Sequence, residues 1–362
     1  MLYIFLILII ILFIFLQKKN VKEHFSTTYY KCPKYGNNEL TDEIFNEYNI
    51  TRSNVDKQWD FYIPCGYNFV ENELKHINPT NKNQKIFGIN GCDNIVSKNG
   101  LWNIINNKYG RDMAKTLMPE TFIISNKDDI NLFKKKYNPK KLYLLKKNIQ
   151  RKQGIKITNK LNEIIYNTDS GYKVIQEYFG NLYLVKSRKI NLRIYLLVTC
   201  KNGYITTYIH RLGKCIYTNQ DYEGLTNLNP EQHLTSLNLN MDVYKDRPQS
   251  FNDLQKYLGS KRYKILMENI FTNLILIMKA AKPHLCNLTN INNNLSFQLF
   301  GLDYVFNDNM YPYLLEMNKG PDMIPKNNED KPIKKKVIHD TFVTVGIIKE
   351  NNNNNGFMRL KI

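Results

Sequence analysis

None of the six cysteines, Cys32, Cys65, Cys92, Cys200, Cys215 and Cys286, forms a CxxC pair. Scattered this widely they give no zinc-ligand spacing, and they are expected as reduced thiols in a cytosolic domain. No GxxxxGK[ST] stretch occurs, which excludes a P-loop. No Ser–His–Asp or Cys–His arrangement stands out, so nothing points to a nucleophilic side chain. Internal repeats are absent. So are the aromatic–basic motifs of RNA-binding folds, which argues against nucleic acid as a partner. Acidic side chains are in short supply: 32 Asp+Glu face 51 Lys+Arg, a net charge of +19. Such an excess favours acidic partners, among them nucleotides and acidic polypeptides.

What is present is enough apolar material for a sizeable core, 43% of 362 residues. The first sixteen residues, MLYIFLILIIILFIFL, carry no charge. Lys18, Lys19 and Lys22 follow them. The expectation is a single-pass anchor over residues 1–17, with the positive-inside rule placing the remainder in the cytoplasm. A cleaved signal peptide is the rival reading. The expected organisation continues with a juxtamembrane linker over 18–36 and an N-terminal lobe over 37–130. A central lobe over 131–190, a C-terminal lobe over 191–348 and an Asn-rich tail over 349–362, read as unstructured, complete it.

Periodicity predicts helices at NELTDEIFNEY, GLWNIINNKYG, DDINLFKKKY and YKILMENIFTNLILIMKAA, the last stopped by Pro283. Strands are predicted at LMPETFII, KKLYLLKK and YKVIQEYF. Two hairpins follow. One turns at Asn202–Gly203, and the other joins SFQLFGLDYVF to YPYLLEMN. Strands and helices mixed in this way suggest an α+β fold with mixed and antiparallel sheets.

In LLEMNKGP, Glu316 and Asn318 share one strand face. A hairpin turning around 307–311 brings Asp303 of FGLDYVF opposite Glu316. Three oxygen donors then converge, the set a magnesium ion prefers. In KINLRIYLLV the even positions are all apolar, whereas Lys189, Asn191 and Arg193 start the other face. Cations on an inner sheet face need an anion, and phosphate suits them. Lys146, followed by a loop with Arg151, Gln153 and Gly154, adds a point charge beside a candidate phosphate cover.

Taken in order, these motifs resemble the tubulin-tyrosine ligase family, which has an ATP-grasp fold, over about 85–349. MPETFII is similar to the family's P-x-T-F strand, and LLKK to its I-x-K-P. KINLRIYLLV resembles K-F-D-L-R-x-Y-x-L-V, HLTS resembles H-L-T-N, and FGLDYVF with LLEMNKGP matches the metal-binding strands. The resemblance implies ATP contacts at Lys146, Arg151, Gln153, Gly154, Ile155, Gln176, Glu177, Tyr178, Phe179, Lys189, Asn191, Thr235 and Ser236. It implies magnesium on Asp303, Glu316 and Asn318. Catalytic roles fall on Arg193, Lys189 and Arg211, and substrate contacts on Arg211 and Lys334. PIKKKVIHDTFVTVGI resembles the family's closing helix.

The implied chemistry is ATP-dependent joining of an amino acid (tyrosine, glutamate or glycine) to a carboxylate of an acidic polypeptide such as a tubulin tail, through an acylphosphate, by a monomer at a membrane. Asn191, Lys147 and Ser236 stand where the family pattern has aspartate, proline and asparagine. They keep an alternative open: a catalytically degenerate ATP-grasp module that binds acidic protein tails at a membrane.

Overall fold

The alternation read at Lys189–Val198 organises the computed structural model, which describes residues 27–32, 36–55, 58–66, 70–148, 154–166, 170–235, 239–350 and 354–362. Four short strands come first: β1 (Thr28–Tyr30), β2 (Thr51–Arg52), β3 (Phe61–Tyr62) and β4 (Lys85–Phe87). The next four, β5 (Thr121–Ile123), β6 (Tyr143–Lys146), β7 (Ile155–Thr158) and β8 (Val174–Glu177), form an antiparallel sheet in the order β5-β8-β6-β7. Then come β9 (Leu184–Val185), β10 (Arg188–Lys201), β11 (Tyr204–Tyr217), β12 (Leu295–Phe306), β13 (Pro312–Asn318) and β14 (Phe357–Leu360). They join β1–β4 in a ten-stranded sheet ordered β14-β11-β10-β12-β4-β3-β1-β2, with β13 on β12 and β9 on β10. Pairing is parallel from β12 through β4, β3 and β1 to β2, and antiparallel among β9–β14.

Each face of β10 has its own core. Ile190, Leu192, Ile194, Leu196 and Val198 are buried with the helices Lys98–Tyr109 and Ser260–Ala281. Burying each such side chain contributes about 1.5–3 kcal/mol. On the opposite face Tyr195 and Leu197 pack with helices Glu39–Glu47 and Asp330–Thr344. That second core begins only at Tyr195, so Lys189, Asn191 and Arg193 line the end of the strand nearest the small sheet. Leu142, Leu144, Tyr178 and Val305, with Tyr313 and Leu315 partly buried, pack the small sheet against the large one.

The hairpins form as the sequence predicts. Lys201 pairs with Tyr204 across Asn202 and Gly203, whose φ angles of 51° and 74° suit a two-residue turn. In the second hairpin Asn307 closes the turn, its N–H donating to Tyr311 O at 3.1 Å.

Three expectations are corrected. The fold is mixed α/β and compatible with an ATP-grasp arrangement. The transmembrane helix expected ahead of it, and the membrane localisation drawn from that helix, find no support: no helix among the described residues is long and apolar enough to cross a membrane. Residues 1–17 themselves lie outside the described residues. The cysteines are not all free thiols, because Cys32 is bonded to Cys65 and Cys200 to Cys286, leaving Cys92 and Cys215 free and buried. The Asn-rich tail carries structure, since β14 pairs antiparallel with β11 through Thr207–His210.

Candidate active site

The centre of the site is a row of charged side chains running across three adjacent strands. Antiparallel pairing sets Arg193 of β10 directly opposite Asp303 of β12, and Asp303 opposite Glu316 of β13. Arg193 grips Asp303 with two bonds, Nε to Oδ1 at 2.7 Å and Nη2 to Oδ2 at 3.1 Å. Such a fork holds a carboxylate in a fixed plane. Asn318 Nδ2 donates to Glu316 Oε1 at 3.2 Å. Burial raises the Asp303 carboxyl, and the nearby Glu316 adds to this against the pull of Arg193. Burial would raise Glu316 too, but Lys98, Lys146, the Asn318 amide and Arg193 outweigh it and hold Glu316 below its ordinary value. Two acids and a carboxamide crowded together, with cations behind them, are a donor set of the kind magnesium takes.

The small sheet closes over this row. Lys146, at the end of β6, is buried, and its Nζ donates to Gln176 Oε1 at 2.6 Å. Gln176 in turn donates to Thr121 Oγ1 at 3.0 Å. Burial lowers Lys146 to about 8 despite the attraction of Glu316. A narrow cleft between the sheets is lined by Ser97, Lys98, Lys146, Gln176, Leu315 and Glu316. Ile155 pairs with Lys146 across the strands. Gly154 stands just before it at φ +76°, where a Cβ would press within 3 Å of the Lys147 side chain. Arg151, Gln153 and Ser236 lie outside the described residues.

A second group gathers at the start of β10. Lys189 Nζ donates to His233 O at 2.6 Å and lies 5.1 Å above the Tyr178 ring. Asn191 Nδ2 donates to Thr235 Oγ1 at 3.3 Å. Among the described residues, four buried polar atoms here have no protein hydrogen bond: Tyr178 Oη, Asn191 Oδ1, Gln232 Oε1 and His233 Nδ1. Buried polar groups are normally satisfied, so this cluster has the chemistry to receive a polar ligand. Glu177 is tied to Lys141 at 2.6 Å, and the Phe179 ring lies 4.2 Å from Tyr313.

The remaining expected residues divide. Lys334 is buried, 3.0 Å from Asp330, and donates to Ile324 O at 2.6 Å. Asp330 also holds Lys214 at 2.7 Å. Burial lowers both lysines. Lys214 lies directly opposite Arg193, whereas Arg211 is exposed on β11. Sequence reading missed Lys214, Asp330, Lys98 and Lys319. Lys319 is buried and paired with Asp93, which ties the loop after Asn318 to the segment carrying Lys98.

Comparison with known proteins gives a consistent picture. A model of the tubulin-tyrosine ligase family matches residues 76–354. The chain is similar to a probable beta-tubulin polyglutamylase of Tetrahymena thermophila, 24% identical over 286 residues, covering 72% of this chain and 24% of that protein. It is similar to the probable tubulin polyglutamylase TTLL2 of Homo sapiens, 27% identical over 256 residues, covering 64% and 41% respectively. It is also similar to tubulin glycylase 3D of Tetrahymena thermophila, 27% identical over 214 residues, covering 54% and 20%. The chain therefore spans less than half the length of these relatives.

Proposed function

The chain belongs to the tubulin-tyrosine ligase family, and from that premise we propose that it is an ATP- and magnesium-dependent ligase joining an amino acid to a carboxylate of an acidic polypeptide, with a tubulin tail as acceptor. The observation that carries this reading is the Arg193–Asp303–Glu316 register, which lines up a guanidinium and two acids on three neighbouring strands. The names of the relatives, polyglutamylases and a glycylase, favour glutamate or glycine as the incoming amino acid. The net charge of +19 suits an acidic acceptor through long-range attraction.

Asp303, Glu316 and Asn318 are the residues that would hold magnesium. The unsatisfied atoms around Lys189 offer hydrogen bonds to a nucleotide. When bound, ATP and magnesium supply a phosphoryl group and charge screening. The acceptor carboxylate becomes an acylphosphate with release of ADP, and the amine of the amino acid then displaces phosphate, giving up a proton, to leave an amide. The protein's own part is electrostatic. Lys146 and Lys189 are fixed cations for phosphate oxygens, and Arg193, already oriented by Asp303, stabilises charge on the transferred group. Lys214 and Lys334, both positioned by Asp330, offer cations to the substrate carboxylates. The small sheet over the cleft limits water, to which an acylphosphate is vulnerable.

The test is to incubate the protein with Mg-ATP, tubulin and a mixture of amino acids, and to read tail masses by intact mass spectrometry. A discrete added mass identifies the amino acid and supports the ligase. Bound ATP with unchanged tails would move the reading to a non-catalytic module.

A further inference from the structure

Ahead of the segment that the family model matches, the fold gathers two cysteines and a glutamate that the sequence keeps far apart. Parallel β1 and β3 pair Tyr30 with Tyr62, so the chain leaves both strands at the same end of the sheet. Cys32 and Cys65 follow those strands directly, which is how residues separated by 33 positions meet. Their sulfurs and a carboxylate oxygen of Glu73 lie within 4.8 Å of one another. Among the described residues, no other group of three His, Cys, Asp or Glu side chains is arranged this way, the second bonded pair, Cys200 and Cys286, included.

The surroundings orient the ligands. The Cys65 N–H donates to both Glu73 oxygens, at 3.0 and 3.1 Å, and Tyr62 Oη donates to Oε1 at 2.5 Å. A carboxylate fixed in this way still has lone pairs to give to a metal. On the other side, Arg52 Nη2 donates to the carbonyls of Lys31 and Cys32, at 2.6 Å each. The Arg52 guanidinium and the Lys31 ammonium supply positive charge nearby. Two thiolates and a carboxylate carry three negative charges, and a zinc ion would leave one for these cations to balance.

We propose that in the reduced protein Cys32, Cys65 and Glu73 bind a single zinc ion, and that the Cys32–Cys65 disulfide is the metal-free form of the same site. Thiolate and carboxylate ligands suit zinc, and three protein ligands leave the fourth tetrahedral position to water. Zinc displaces the two thiol protons. Reduction of the disulfide takes two electrons and two protons, with a phosphine supplying the electrons in the test.

The experiment uses the untagged full chain, phosphine-reduced or left oxidised, titrated with zinc in competition with a chromophoric chelator. The reduced protein is expected to take up one equivalent and the oxidised protein none. Cys65→Ser should abolish binding, and Glu73→Gln should weaken it about 10-fold. Cobalt added to the reduced wild type should show thiolate-to-metal charge-transfer absorption. Reduced protein that binds no zinc would overturn the proposal and leave the pair a disulfide alone. Binding that survives Cys65→Ser would overturn it as well, by placing the metal elsewhere. The comparison of reduced with oxidised wild type holds even if a variant fails to fold.

Discussion

Glu316 is a half-buried acid whose charge is sustained only by what surrounds it. Replacing it with glutamine keeps the shape and the Asn318 contact but removes the charge a metal needs. Glu316→Gln is expected to lower ligation by at least about 10²-fold, measured as the rate of adduct formation by mass spectrometry. Alternation along β13, and the hairpin that folds it back on β12, made this residue and its partner Asp303 legible from sequence. Lys214 was not legible, for a physical reason. Counting outward from the Asn202–Gly203 turn puts Leu212 opposite Arg193, but an irregularity between Ile194 and Leu196 shifts the register and brings Lys214 there instead. Nothing in GKC announces that shift. Lys214→Ala is expected to raise KM for the amino acid by roughly 10-fold, about the 1.4 kcal/mol of one charged contact, and by more than Arg211→Ala does. Steady-state kinetics with varied amino acid would decide this.

Among elements, β10 declared itself because Ile190, Leu192, Ile194, Leu196 and Val198 give it one apolar face, and the helices because their caps are written locally. Asn38 and Asn126, for instance, accept N–H groups of the turns they begin. β14 gave no such signal. Its four residues are held by pairing to a strand far back in the chain, and a long-range contact leaves no local pattern. The sheet also constrains its own glycines. At Gly301 a Cβ would lie 2.9 Å from Pro321 Cβ and 3.2 Å from Arg193 Cδ. Gly301→Ala must therefore displace either the loop after Asn318 or the arginine stem. It is expected to cost about 1–3 kcal/mol in urea unfolding and to lower kcat, since the stem it crowds carries the guanidinium on Asp303. Unfolding cost without a loss of kcat would mean that the loop yields instead of Arg193.

For the molecule as a whole, Asp340 ties the C-terminal segment to the sheet. It lies 3.0 Å from His210 Nε2, 3.1 Å from His339 Nδ1 and 2.5 Å from Lys336 Nζ, and it accepts the Gly356 N–H at 2.7 Å. Burial alone would raise its carboxyl, but these bonds outweigh burial and hold it well below 3.8. A carboxyl lowered on folding adds stability that is complete above the unfolded value of 3.8 and is lost as pH falls below it. Asp340→Asn should therefore cost about 3 kcal/mol at neutral pH, and the gap to wild type should close below pH 3.8 in a series of urea titrations. A gap that stays constant with pH would show that the ionised carboxylate is not what holds the segment.

The central claim, that the charged row across β10, β12 and β13 activates a carboxylate for ligation, is tested most directly by following an oxygen atom. An acceptor peptide with ¹⁸O in its carboxylates is incubated with the protein, Mg-ATP and the amino acid that gives an adduct. The account predicts one ¹⁸O in the inorganic phosphate for every amide formed, because the acceptor oxygen leaves with phosphorus. Amide formation with unlabelled phosphate, or ATP consumption with no amide at all, would contradict it.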